Sequence, residues 1–99
     1  RKVKGRAQIL KIFKLPSGDR IIGCSVELGR FKEKKRVAIY DQNPAEIEDR
    51  IEDSLFIGEI KKIKMGKDDV KEASKGKECG LLLKPIFEDA KKGMWIEVL

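Results

Sequence analysis

The sequence of 99 residues has no histidine, no threonine, only two cysteines, one tyrosine and one tryptophan. Without histidine, the Ser-His and Cys-His pairs that activate nucleophiles cannot form. Two cysteines also fall short of the roughly four Cys or His ligands that a structural zinc site needs. We therefore expect this chain to be no enzyme and to hold no cofactor or metal.

The chain also lacks a run of about 18 apolar residues that could span a membrane, and no signal or transit peptide is visible. Hydrophobic and charged residues each make up 40% of the sequence, which suits one small core and not a disordered chain. A lysine-rich chain without an export signal indicates a cytoplasmic location, where cysteines stay reduced. We expect a monomer that forms a single domain over residues 1–99. Because the chain begins at Arg1 and not at Met, we interpret it as a fragment of a longer protein.

The charge is basic overall but unevenly distributed. Lysine and arginine outnumber aspartate and glutamate by 23 to 17, for a net charge of +6. Residues 1–36 carry twelve basic and three acidic groups, whereas residues 41–59 carry one basic and seven acidic groups. A basic excess interrupted by one acidic segment indicates a polyanionic partner such as RNA, or else simply a soluble lysine-rich surface.

Short runs of β-branched and apolar residues, separated by turn signals about every ten residues, predict an all-β barrel or sandwich. Leu28-Gly29 is expected to turn the chain, and residues 67–73 have mild helical propensity. The apolar alternation changes phase between Ile60 and Ile63, which predicts a β-bulge. The predicted strands are 6–13, 20–27, 30–32, 36–41, 55–65, 79–84 and 94–99.

The acidic segment 42–54 has a different pattern. Asn43 is a suitable N-cap for a helical turn that begins with Pro44, and Ile47 and Ile51 are four residues apart, as on one helical face. Two apolar positions are few for a stable helix. We expect a loop excursion with some helical turn.

Three groups of residues are candidates for function. Gly23-Cys24 is typical of a core cysteine in a strand, with the glycine permitting a bend. The stretch from Lys67 to Gly80 is typical of a charged connection into a buried strand, or alternatively of a pocket rim where Cys79 and glycine backbone admit a ligand. Lys61, Lys62, Lys64 and Lys67 suit either a solvated strand face or a contact surface for phosphates.

Together these segments resemble the C-terminal domain of bacterial translation initiation factor two. The family pattern runs approximately IAGC, GEI-S-L-K-R-F/Y-KDDVKEV, G-YECG and GDVIE, after an opening G-x-A-x-V-x-x-V-F-K-V. KDDVKE and ECG at this spacing are specific, and the resemblance covers nearly the whole chain. The matching stretches here are GRAQILKIFKL, Ile22-Gly23-Cys24, Gly58-Glu59-Ile60, Ile63-Lys64, residues 67–72, Gly76, Glu78-Cys79-Gly80, Gly93 and Ile96-Glu97.

The resemblance implies a small closed β-barrel similar to the second domain of elongation factor Tu. It also implies translation initiation as the role, with the domain holding the formylmethionyl 3′ acceptor end of initiator tRNA. The parent factor would be a GTPase that binds GTP and magnesium through an upstream domain and meets the ribosome.

The family's tRNA-binding and formylmethionine-binding positions fall on Cys24, Lys64, Lys67, Glu78, Cys79 and Gly80. Other positions depart from the family. Where the family has an arginine followed by an aromatic, this chain has Met65 and Gly66, and Lys77 replaces the aromatic before ECG. Met65 lacks the planar fork that arginine offers to phosphate, and Gly66 cannot stack on a base. Residues 42–53 resemble an acidic loop insertion.

Two hypotheses follow. In the first, a pocket of apolar groups, Cys24, Cys79 and Gly80 backbone accepts the neutral formamide of formylmethionine, whereas burying an unpaired ammonium there would cost several kcal/mol. In the second, the barrel has lost strong tRNA binding and docks onto the ribosome or another domain. If the two cysteines line one accessible cleft, the first hypothesis gains. If both are sealed in the core, the second gains.

Overall fold

The protein is all-β, as the sequence predicts. A computed structural model describes residues 2–47 and 51–99. One 3-10 turn, Pro44–Glu46, interrupts the strands. The strands are β1 Gly5–Lys14, β2 Arg20–Lys32, β3 Arg36–Tyr40, β4 Phe56–Met65, β5 Asp68–Val70, β6 Glu72–Ser74, β7 Glu78–Lys84 and β8 Trp95–Val98.

Six of these strands close into a barrel. They pair in the order β1-β8-β3-β4-β7-β2, and β2 pairs again with β1 to complete the ring. β5 folds back on the end of β4, and β6 pairs with the end of β2. The expectation of a closed barrel is therefore confirmed.

The barrel interior is filled by alternate residues of each strand, as the two-residue period of a strand requires. Buried residues include Ala7 and Ile9 of β1 and Ile22, Cys24 and Val26 of β2. A charged side chain also lies in the interior: Glu97 is fully buried and accepts a hydrogen bond from Arg6 Nε at 3.2 Å. The pair connects β1 to β8, since Arg6 and Glu97 are direct cross-strand partners.

The predicted β-bulge in β4 is confirmed. Ile60 pairs with Leu83 and Lys62 with Leu82, so Lys61 is the additional residue on the bulged strand. A bulge shifts the alternation by one position, and as a result Ile60 and Ile63 are both fully buried.

Two expectations about local structure are wrong. β2 runs through Leu28-Gly29 without a turn, and Gly29 takes a positive φ of 64°. A side chain there would collide with the Lys4 backbone oxygen, so the glycine marks close approach of β1 and not a change of direction.

Residues 67–73 are not helical. They form β5 and β6, and Gly66 takes a positive φ of 64° in the turn that returns β5 along β4. Glycine is favoured in such two-residue hairpin turns. Pairing with β4 and β2 overrides the weak helical propensity of this stretch.

Residues 42–47 and 51–54 of the acidic segment form a loop with one helical turn, as expected. The Asn43 side chain caps this turn by accepting a hydrogen bond from Ala45 N at 3.0 Å. Ile47 is already extended and ends the turn, while Ile51 is exposed. Residues 48–50, within the expected insertion 42–53, lie outside the described residues. Within 2–47 and 51–99, we find no helix of the length and apolarity needed to cross a membrane.

Candidate functional site

A cavity of about 610 Å³ lies against the barrel wall where β1, β2, β4 and β7 meet. Its lining brings together residues far apart in the sequence, from Leu10 to Gly80. A volume of this size falls in the range of small-molecule sites. It has three parts: a bare strip of sheet, an apolar wall and a charged rim.

The bare strip consists of two glycines that are direct cross-strand partners. Gly23 of β2 is paired with Gly80 of β7. Their chain neighbours Ile22, Cys24 and Cys79 are buried, so by strand alternation the glycines occupy outward positions. Side chains here would fill the cavity, and a Cβ at Gly80 would lie only 2.6 Å from Ile21 Cγ2.

The next cross-strand pair is Cys24 with Cys79, whose Sγ atoms lie 3.7 Å apart. Both residues line the cavity, but their exposed fractions are only 1% and 6%. They are therefore the floor of an accessible cavity and part of the core at once. This placement combines the two arrangements that were expected to separate tRNA binding from docking, so it does not decide between them.

The two thiols share a hydrogen bond that makes them unequal. The contact with Cys79, together with burial, raises the pKa of the Cys24 thiol well above its ordinary value. The same contact lowers the pKa of the Cys79 thiol, against the opposing effect of burial. The direction of these two changes favours the thiolate form at Cys79 over that at Cys24.

The apolar wall was missed by the sequence reasoning. It consists of Leu10, Phe13 and Ile21, and Leu10 and Phe13 are 38% and 44% exposed. Ile9 pairs with Cys24 and Lys11 with Gly23, so Leu10 is an extra residue at an irregularity in β1. The signal was present in the sequence, because Leu10 directly follows inward-facing Ile9 and breaks the alternation of a half-buried strand.

Three charged residues line the cavity: Lys11, Lys64 and Glu78. The Lys11 ammonium lies 5.0 Å from the centre of the Phe13 ring, within the range of a cation–π contact. Two lysines against one glutamate leave the rim positive. Such a rim favours an anionic or neutral ligand over a cationic one.

Lys64 is engaged with an acidic partner. Its Nζ donates a hydrogen bond to Asp69 Oδ1 at 2.8 Å, and Lys62 Nζ lies 3.5 Å from Asp69 Oδ2. The hydrogen bond from Lys64, with the charge of Lys62, lowers the pKa of the Asp69 carboxyl. Lys62 and Lys64 thus share a strand face, as expected, but their charge is partly balanced.

The structure brings five of the six sequence-derived site residues into one cavity: Cys24, Lys64, Glu78, Cys79 and Gly80. The sixth, Lys67, lies in the exposed turn between β4 and β5 and is not part of the lining. Gly66, in the same turn, does line the cavity. Its lack of a side chain leaves that side of the cavity open.

The groups that line the cavity are suited to ligand binding. Across residues 2–47 and 51–99, no three His, Cys, Asp or Glu side chains are grouped so as to hold a metal ion. A bare backbone strip, an apolar wall and a positive rim together suit a ligand with an apolar side chain, a neutral polar group and a nearby negative charge.

No model of a known protein family matches the chain.

Proposed function

We propose that this chain binds the formylmethionyl 3′ acceptor end of initiator tRNA, as a domain of a translation initiation factor. The parent would be a GTPase that holds GTP and magnesium in an upstream domain and acts on the ribosome. The observation that carries the proposal is the convergence of Cys24, Lys64, Glu78, Cys79 and Gly80 on one cavity of about 610 Å³. These residues were chosen from motif positions that span more than half of the sequence.

The apolar wall supplies a place for the methionine side chain. Leu10, Phe13 and Ile21 present exposed or half-exposed apolar surface beside the glycine strip. A flexible thioether fills irregular apolar space well and makes favourable contacts with aromatic rings such as Phe13. Burial of this side chain would contribute about 1.5–3 kcal/mol.

The cavity also provides a basis for selecting the formylated amine. Formylation replaces an ammonium by a neutral amide, which can donate its N–H to the Glu78 carboxylate. A free ammonium would gain Glu78 as a partner but would face Lys11 and Lys64 on the same rim. Desolvating that ammonium would cost several kcal/mol unless the pairing were complete.

Phosphates of the acceptor end would be met by the lysines near the cavity. Lys64 lines it, and Lys62 and Lys67 lie on the same part of β4 and the following turn. Such contacts are independent of sequence and sensitive to salt. The pairing of Lys62 and Lys64 with Asp69 reduces the charge that they can offer.

The test is equilibrium binding of the chain to formylmethionyl-tRNA, methionyl-tRNA and uncharged tRNA at one fixed salt concentration. We expect the formylated species to bind at least about tenfold more tightly, which corresponds to about 1.4 kcal/mol. Lys64→Gln should weaken binding. Lys84→Gln should not, because Lys84 is exposed on β7 four residues beyond Gly80, about 13 Å along the strand. Equal affinity for the three species would refute selective recognition.

The ion pairs of Asp69 favour a second candidate, a barrel that docks onto the ribosome or another domain with weakened tRNA binding. Lys62 and Lys64 are both within 3.5 Å of the Asp69 carboxylate, and Gly66 offers no ring for base stacking. This candidate predicts weak binding of all three tRNA species together with retention of the chain on ribosomes.

A further inference from the structure

The cysteine pair has a geometry that binding of a ligand does not require. Cys24 and Cys79 are direct cross-strand partners on β2 and β7, with their Sγ atoms 3.7 Å apart. Opposed residues of an antiparallel pair have Cα atoms about 4.5 or 5.5 Å apart. Disulfides join cysteines whose Cα atoms are about 4.4–6.8 Å apart. The cross-strand pairing therefore suits the Cα separation that a disulfide requires.

We propose that Cys24 and Cys79 form a peroxide-reactive dithiol site in the cavity floor, which closes to an intramolecular disulfide. The oxidant class is a hydroperoxide, with hydrogen peroxide as its smallest member. The proposal concerns the covalent state of the chain and does not depend on the proposed function.

Access decides which cysteine reacts first. Both cysteines line the open cavity, but Cys79 is the more exposed of the two, at 6% against 1% for Cys24. The contact between the two thiols also lowers the pKa of Cys79 and raises that of Cys24. The thiolate and not the thiol is the nucleophile. Lys11 and Lys64 on the rim favour this anion, while Glu78 opposes it.

The chemistry balances in two steps. The Cys79 thiolate attacks one peroxide oxygen, the O–O bond breaks, and Cys79 becomes a sulfenic acid as hydroxide leaves and takes up a proton. Cys24 sulfur then attacks Cys79 sulfur, the S–O bond breaks, and the Cys24 proton leaves with the hydroxide as water. The two thiols are oxidised by two electrons and the peroxide is reduced to two molecules of water.

The disulfide would change the shape of the cavity floor. Its two sulfur atoms lie one residue from Gly23 and Gly80, the glycines of the bare strip. Drawing the sulfurs from 3.7 Å to a bond of about 2.05 Å alters the floor. We expect backbone amide shifts on oxidation to concentrate at residues 22–25 and 78–81.

The test is treatment of the purified chain with hydrogen peroxide, followed by denaturation, thiol labelling and intact mass measurement. Because the sequence has only two cysteines, the outcome is unambiguous. We expect a monomer that has lost two hydrogen atoms, accepts no label and recovers both thiols with dithiothreitol. Two labelled thiols under conditions that oxidise N-acetylcysteine, or covalent dimers alone, would overturn the proposal.

Single variants test the order of reaction. Serine retains a hydrogen-bond donor, so Cys24→Ser leaves Cys79 with a comparable partner, and its sulfenic acid should be trapped by dimedone. Cys79→Ser should lose its remaining thiol about tenfold more slowly, because Cys24 is the more deeply buried of the two cysteines. Equal rates in the two variants would contradict the assignment of Cys79 as the attacking thiol. Amide spectra of both variants establish that they are folded.

Discussion

Gly23 and Gly80 face each other across β2 and β7, one register position from the Cys24–Cys79 pair. Two opposed glycines in adjacent strands remove the side chains that would otherwise cover this part of the barrel wall. Glycine within a strand is destabilising by roughly 0.5–1 kcal/mol relative to alanine. The cavity of about 610 Å³ that these two glycines leave open accounts for their presence despite this cost.

The first prediction concerns the size of this cavity. A Cβ at Gly23 would lie 3.2 Å from the Lys11 backbone oxygen and 3.4 Å from Phe13 Cε2, so Gly23→Ala is crowded but tolerable. We expect the variant to fold with a free energy of unfolding within about 1 kcal/mol of that of the unmodified chain. We expect it to bind formylmethionyl-tRNA at least about tenfold more weakly. Urea unfolding and equilibrium binding measure the two effects.

Ser74→Thr is the matched control, since it adds one methyl group on β6, outside the cavity lining. Its affinity for formylmethionyl-tRNA should equal that of the unmodified chain. If Gly23→Ala bound the formylated tRNA as tightly as Ser74→Thr does, the glycine strip would not be a ligand surface.

The second prediction concerns Asp69, which forms ion pairs with Lys62 and Lys64. Asp69→Asn removes the carboxylate and releases both ammonium groups for phosphate contacts. We expect tRNA affinity to rise and its salt dependence to steepen by about 0.7 in log–log slope for each additional phosphate neutralised. Asp19→Asn, in the turn before β2, controls for the general change in net charge. A slope that rises equally in both variants would show that Asp69 does not mask the lysines.

The third prediction is the pH dependence of the same pair. The pKa of Asp69 is lowered in the folded state, chiefly by the hydrogen bond from Lys64. The pair therefore stabilises the fold above the ordinary carboxyl pKa, and this contribution is lost as the pH falls through the lowered value. The contribution is small because the Asp69 side chain is 50% exposed and its charge is screened by water.

Carbon-13 NMR of the carboxyl group follows this titration directly. The Asp69 resonance should titrate at lower pH in the unmodified chain than in Lys64→Gln, where the principal hydrogen bond is absent. Identical titration curves in the two proteins would mean that the ion pair does not persist in solution.

The fourth prediction tests the bulge in β4. Lys61 is the extra residue that keeps Ile60 and Ile63 both inside the barrel. Deleting Lys61 reverses the alternation of the following residues and turns Ile63 outward. We expect a loss of about 2–5 kcal/mol in the free energy of unfolding, as for truncation of a buried isoleucine. Lys61→Ala, which retains the extra residue, should change stability by no more than about 0.5 kcal/mol.

The barrel strands were predictable from the sequence because they pack on the core from one side. The bulge was visible as a phase change between Ile60 and Ile63, and Pro85 follows directly after β7. By contrast, β5 and β6 are three residues each. Strands this short carry little alternation, so only pairing with β4 and β2 shows that they are extended and not helical.

The candidate site was likewise predictable from the sequence only in part. Five residues came from motif positions, and the structure places them around one cavity. The apolar wall of Leu10, Phe13 and Ile21 was missed because outward apolar residues in a strand are common and carry no motif. The partnership of Lys64 with Asp69 was missed because it depends on the hairpin between β4 and β5, which was expected to be helical.

The most direct test of the account is a backbone NMR titration of the chain with formylmethionyl-tRNA, methionyl-tRNA and uncharged tRNA. We predict shifts centred on Gly23, Cys24, Lys64 and residues 78–80 that appear only with the formylated species. Weak shifts spread over the lysines, and equal for all three tRNAs, would contradict recognition of formylmethionine in this cavity.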